Sequence, residues 1–119
     1  MLWSPGDGVC NPPLASDYLL LLNECDRPDQ CNVSPEDAAR AWRQWEAEYP
    51  DRKLVGPNVS QAGWYWLLDW YAAYVRLYGE PPRIWALGVH CYRDAVGCQE
   101  WTTANIAVAR QWTASGQVW

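Results

Sequence analysis

The chain has 119 residues, half of them apolar, which is enough for one domain with a real core and too apolar for a disordered segment. Its formal charge is −5 with no basic run, so it lacks the positive surface that a nucleic-acid backbone requires, and no stretch approaches the roughly 18 consecutive apolar residues of a membrane helix. Ten Trp and seven Tyr with no Phe favour rings with a polar edge as well as an apolar face, a choice that suits sugar binding and core packing alike.

In chain order, the run Tyr18-Leu19-Leu20-Leu21-Leu22 reads as a parallel strand buried on both faces. Asn23-Glu24 at its exit places a carboxyl group where sheets of this kind carry their ligand sites, and the competing reading is an ordinary surface loop. Ser34-Pro35-Glu36-Asp37 then supplies an N-cap, a first-turn Pro and an acidic third position. The helix that starts there carries Ala38, Trp42, Trp45 and Tyr49 on one stripe and ends at Pro50-Asp51. A second unit follows, with a short strand at 53–56, the polar exit Pro57-Asn58-Val59-Ser60, and a helix through Trp64, Leu67, Leu68, Tyr71, Tyr74 and Tyr78 that Glu80-Pro81-Pro82 stops. The third has a strand at 84–89, the exit His90-Cys91-Tyr92-Arg93, and a helix bearing Trp101, Ala104, Val108 and Trp112, with Gly116 expected to close it. A last strand is expected at 117–119.

Strand starts near 18, 53, 84 and 117 recur at the interval of one strand plus one helix, which predicts an α/β chain of βα units. The four strands should be parallel and in sequence order, with the three helices on one face. No Gly-rich phosphate loop follows any strand, so nucleotide-binding sheets lose weight. The polar exits Asn23 and Glu24, Asn58 and Ser60, and His90 and Tyr92 fit a barrel with its site at one mouth. On this reading most of the tryptophans, Trp42, Trp45, Trp70, Trp101 and Trp112 among them, are packing residues.

None of the five cysteines forms a CxxC or paired Cys/His motif, so no metal is expected. Cys25 lies near Cys31, and Cys91 near Cys98, so local disulfides in an exported parent protein are one reading, with Cys10 left over. Buried free thiols and a cross-loop pairing such as Cys25 with Cys91 are the others.

The segments Leu22-Asn23-Glu24-Cys25-Asp26, Leu54-Val55-Gly56-Pro57-Asn58-Val59-Ser60 and Val89-His90-Cys91-Tyr92 resemble, in order and spacing, the strand ends of the Asl1-like glycosyl hydrolase catalytic domain, glycoside hydrolase family 128. Met1-Leu2-Trp3 resembles the end of the preceding strand. The resemblance implies a (β/α)₈ barrel that cleaves β-glucan with retention, of which this chain, truncated at both ends, is roughly half. It implies Glu24 as general acid/base and Asn23 as the neighbour that hydrogen-bonds the sugar 2-hydroxyl. His90 and Tyr92 then line the site, Tyr92 near the nucleophile, and Asn58, Trp64 and Trp3 complete the candidate substrate-binding set. Cys25 stands where the family usually has Pro, and Cys91 where an aromatic often lies between His and Tyr.

The family's nucleophilic Glu ends the next strand, in a segment expected beyond Trp119, so this chain alone is expected to be inactive. No cofactor is implied. The partner implied is a polysaccharide, with the full-length protein a monomer; the sequence leaves the compartment open, a secreted or cell-wall associated parent being one reading. The alternative is a non-catalytic carbohydrate-binding module in which Trp3, Trp64 and Tyr92 stack on sugar faces and Glu24 only hydrogen-bonds; a disulfide-stapled interaction domain with no sugar ligand is a third reading.

Overall fold

The computed structural model describes residues 16–119, so Met1-Leu2-Trp3 and Cys10 lie outside the described residues. Four parallel strands, β1 (Tyr18–Leu20), β2 (Lys53–Val59), β3 (Ile84–Val89) and β4 (Thr113–Val118), form one sheet in the order β1-β2-β3-β4. Between them run α1 (Pro35–Glu48), α2 (Trp64–Tyr78) and α3 (Ala95–Trp112). The βα repeat and the spatial order are as the sequence predicts.

Each helix begins and ends where local chemistry dictates. The Ser34 hydroxyl accepts the Asp37 N–H at 3.1 Å at the start of α1, and Asp94 accepts the Gly97 N–H at 2.8 Å at the start of α3. The left-handed Gly79 ends α2 at φ 72°. Gly116, however, does not close α3. The β-branched Thr113 leaves the helix in extended conformation, donating from both its N–H and its hydroxyl to the Ala109 carbonyl, and β4 starts there. Gly116, at φ 68°, instead absorbs an irregularity in β4. Thr113 pairs with Ile84 and Gln117 with Ala86, so four steps along β4 match two along β3.

The helices make one continuous layer over the sheet. Trp42 of α1 meets Trp70 of α2 edge to face at 5.1 Å, and Tyr71 of α2 stacks on Trp112 of α3 at 3.9 Å. Trp42, Trp70, Tyr74, Leu67, Leu54 and Leu87 are fully buried in this core. Strand alternation turns Leu19 and Leu54 into it and sends their neighbours Tyr18 and Lys53 to the opposite face. There the Lys53 ammonium lies 5.0 Å from the Tyr18 ring and 4.6 Å from the Trp85 ring. The Tyr18 and Trp119 rings also meet there, with centroids 4.7 Å apart. Three strand spacings in a flat sheet would hold β1 and β4 about 14 Å apart, so this contact records a sheet curled toward closure, as in a barrel.

At the pole where the strands begin, polar groups knit the helix ends together. Glu46 accepts from the Tyr74 hydroxyl and from the Arg83 N–H, while the Arg83 guanidinium donates to the carbonyls of Arg52 at 2.8 Å and Tyr49 at 3.0 Å. Arg43 pairs with Glu80 at 2.7 Å. Both local disulfides form: Cys25–Cys31 with Cα atoms 4.3 Å apart, and Cys91–Cys98 at 5.6 Å. Cys98 lies in the first turn of α3 rather than in the strand-exit loop, so the second bridge fastens that loop to the helix.

Candidate active site

The exit of β1 is built around two irregular residues. Leu22 and Glu24 adopt left-handed backbone at φ 60° and 46°, a conformation that costs a non-glycine residue about 1–3 kcal/mol. Ladder hydrogen bonds from β2 hold it in place. The Asn58 N–H donates to Leu22 O at 2.9 Å, the Glu24 N–H donates to Asn58 O at 2.7 Å, and Asn23 bridges to Asn58. The alternation of the strand is thereby broken, and Glu24 comes to lie in the site with its side chain 4% exposed.

β2 bends at Gly56-Pro57, where three steps along it match two along β3. The bend turns the Asn58 side chain inward, so that its amide donates to Leu21 O at 2.7 Å. The same amide fills the space over Gly88, where an added Cβ would meet Asn58 Oδ1 at 1.7 Å. The amide expected to face substrate therefore braces the exit of β1 and rests against β3.

His90 follows the last residue of β3, with its N–H donating to Val59 O at 3.0 Å. Its Nδ1 lies 2.8 Å from Glu24 Oε1. An ionised carboxylate only accepts, so in that state Nδ1 carries the proton; a protonated Glu24 can instead donate to the bare nitrogen. The pair can thus hold one proton between them. Arg27 Nε is 3.8 Å from Glu24 Oε2, while its guanidinium grips Asp29 through two bonds at 3.0 and 2.8 Å. Tyr92 stands over the pair, 67% exposed and edge-on to the His90 ring at 6.3 Å. A hydrogen bond with the Glu24 carboxylate, more than burial, raises the Tyr92 phenol above the usual tyrosine range.

Around this centre the neighbouring loops are tied together. Asp26 accepts the Ser60 N–H at 3.0 Å and the Ser60 hydroxyl, and the Gln61 side chain accepts the Tyr92 N–H at 3.0 Å. Asn23 is buried beside Glu24 and makes a long contact of 3.5 Å to Gln30. Trp64, in the first turn of α2, packs edge-on against Trp101 at 6.0 Å, within the helix layer. Trp3 lies outside the described residues.

The structure therefore brings Glu24, Asn23, His90 and Tyr92 to one mouth of the curled sheet. Sequence reasoning passed over Arg27, Gln30 and Gln61. The only trace of Arg27 was a basic residue three positions after the carboxylate, and a surface loop gives that spacing little weight. The arrangement sets a buried carboxyl group within hydrogen-bond reach of an imidazole, beside an exposed ring.

The profile of the glycosyl hydrolase catalytic core family matches residues 1–118, and the chain belongs to that family. Among solved structures it is similar to a family 128, subgroup II, endo-β-1,3-glucanase from Pseudomonas viridiflava, at 31% identity and a TM-score of 0.68 over 81% of this chain. It is also similar to a family 128, subgroup III, curdlan-specific exo-β-1,3-glucanase from Blastomyces gilchristii in complex with glucose, at 25% identity and a TM-score of 0.73 over 88% of this chain. The matched region is 39% of the first enzyme and 47% of the second, so the chain spans less than half of either. No curated protein sequence matches it. The curled four-stranded sheet and its helix layer are part of a (β/α)₈ barrel.

Proposed function

We propose that this chain carries the acid/base half of a retaining glycoside hydrolase acting on β-1,3-glucan, with Glu24 as the general acid/base. One observation carries the reading: a buried carboxylate at a strand exit, beside Asn23, with its oxygen 2.8 Å from the only histidine of the chain. The two solved glucanases support the substrate class. Glu24 protonates the leaving glycosidic oxygen and then takes a proton from water, and His90 steadies it in both states. Asn23 reaches the 2-hydroxyl of the sugar, and Tyr92 is the face on which the sugar lies.

Retention needs a second carboxylate about 5–5.5 Å from the first. Among the carboxylates of the same loop, Asp26 is bound to Ser60 and Asp29 to Arg27, so neither is assigned that role. The nucleophile belongs, in this proposal, to a part of the barrel that the chain does not span. The exposed Tyr92 suits a binding module as well, but burial of Glu24 against His90 favours the catalytic reading.

The test is laminarin hydrolysis by three proteins: this chain, a version extended through a complete barrel, and the extended Glu24→Gln variant. The extended protein should hydrolyse laminarin, and the variant should lose about two to four orders of magnitude in rate. This chain alone should show no turnover. Full activity of the variant would remove Glu24 from the mechanism, and turnover by the 119-residue chain would place the nucleophile within it.

A further inference from the structure

We propose that the Ser60-Gln61 turn at the exit of β2 is a positioning device that sets Glu24 and Tyr92 against each other, a role that rests on the glucanase reading above. β2 lies between β1, which delivers the acid, and β3, which leads to the aromatic ring. The two residues after it reach to opposite sides. Ser60, 2% exposed, donates its N–H and its hydroxyl to the two oxygens of Asp26. Gln61 accepts the backbone N–H of Tyr92.

The seat for Asp26 is made to measure. Gly63 has no side chain there, and an added Cβ would meet Asp26 Cγ at 2.7 Å and Val59 Cβ at 2.8 Å. The Ser60 hydroxyl also accepts the Ala62 N–H at 3.2 Å, which fixes its orientation in the turn that leads into α2. Asp26 is two residues beyond Glu24, and Cys25 between them is bridged to Cys31. The acid is therefore held on one side by the β2 ladder and on the other by the Asp26 seat. On the β3 side, Tyr92 is mostly exposed, and the Gln61 side chain holds its backbone N–H at 3.0 Å. One turn thus ties together the loop that carries the carboxylate and the backbone that carries the ring. Neither Ser60 nor Gln61 is a catalytic residue; each acts through its partner.

The chain has a single histidine, so its ring resonances report the Glu24 contact without ambiguity. The experiment uses the ¹⁵N-labelled 119-residue chain and compares Asp26→Ala, Ser60→Ala, Gln61→Met and Gln61→Glu with the parent and with Glu24→Gln. Asp26→Ala should move the His90 ring signals toward those of Glu24→Gln, and Ser60→Ala should move them part of the way. If Asp26→Ala does not fold, Ser60→Ala decides the point. Gln61→Met should leave the His90 signals in place and speed exchange of the Tyr92 amide proton about tenfold, the effect of one lost hydrogen bond. Gln61→Glu keeps an acceptor oxygen and should restore it. A fall in unfolding midpoint with His90 signals and Tyr92 exchange as in the parent would overturn the proposal, since it would show a purely structural role. Titration with a soluble β-1,3-glucan oligosaccharide separates the two readings. Binding that Gln61→Met weakens and Gln61→Glu recovers supports both, whereas failure of the parent to bind counts against the substrate class and leaves the positioning role to the ring and amide signals.

Discussion

Asn58 and Gly88 show how a single residue choice fixes the site. The Asn58 amide occupies the volume that any side chain at position 88 would need, and it satisfies the Leu21 carbonyl in the interior. Gly88→Ala should destabilise the chain by about 1–3 kcal/mol through overpacking. Asn58→Ala should cost a similar amount by leaving that carbonyl unsatisfied, about 1–3 kcal/mol. The double variant should cost less than the sum, because the clash disappears with the amide; a double-mutant cycle by urea unfolding measures the coupling. Tyr92 offers a second check. The Glu24 carboxylate favours the neutral phenol, so Glu24→Gln should bring the Tyr92 phenol back toward about 10, seen as an earlier rise in tyrosinate absorbance for that one ring. At this scale the carboxylate itself was legible in the sequence, since an apolar run ending in Asn-Glu announces a strand exit. The inward turn of Asn58 and the grip of Gln61 on Tyr92 were not, because a bend at Gly56-Pro57 and a register shift decide where those side chains go, and neither leaves a pattern of apolar residues.

Among the elements, the packing of α1 on α2 carries a titratable group at its centre. Tyr74 is fully buried, and burial first, then its bond to Glu46, pushes its phenol well above the ordinary tyrosine value. Below about pH 10 both folded and unfolded chains keep that proton, and stability is unaffected. Above that pH the unfolded tyrosine ionises while the folded one does not, so stability falls as pH rises toward the folded value. Tyr74→Phe should remove this share of the alkaline loss, which urea midpoints between about pH 8 and 11 would show as a shallower slope than the parent's. The helices were well marked in sequence, since caps at Ser34 and Asp94 and the tryptophan stripes are local signals. The last strand was less so. Gly116 looked like a helix stop, but the β-branched Thr113 had already turned the chain, and the glycine served a bulge whose need arises only from pairing with β3.

Taken as a whole, the molecule has two poles with different work. The Arg43, Glu46, Glu80 and Arg83 network joins helix ends where the strands begin, while Glu24, His90 and Tyr92 gather where they finish. Arg83→Ala should therefore lower stability by about 1 kcal/mol through its lost bonds to carbonyls, while the His90 ring resonances stay where they are. The curl of the sheet was expected from the polar strand exits and from family resemblance; composition and periodicity specify βα units but not closure, and the contact of Tyr18 with Trp119 is a long-range outcome. The order β1-β2-β3-β4 has a consequence for synthesis on the ribosome. Each new strand joins the edge left by the one before, and both bridges close within six or seven residues, so no finished layer must reopen and no cysteine of either bridge waits for a distant mate. Strands β1 and β2, which hold the Glu24 loop between them, are therefore both made before the Tyr92 ring that will face it.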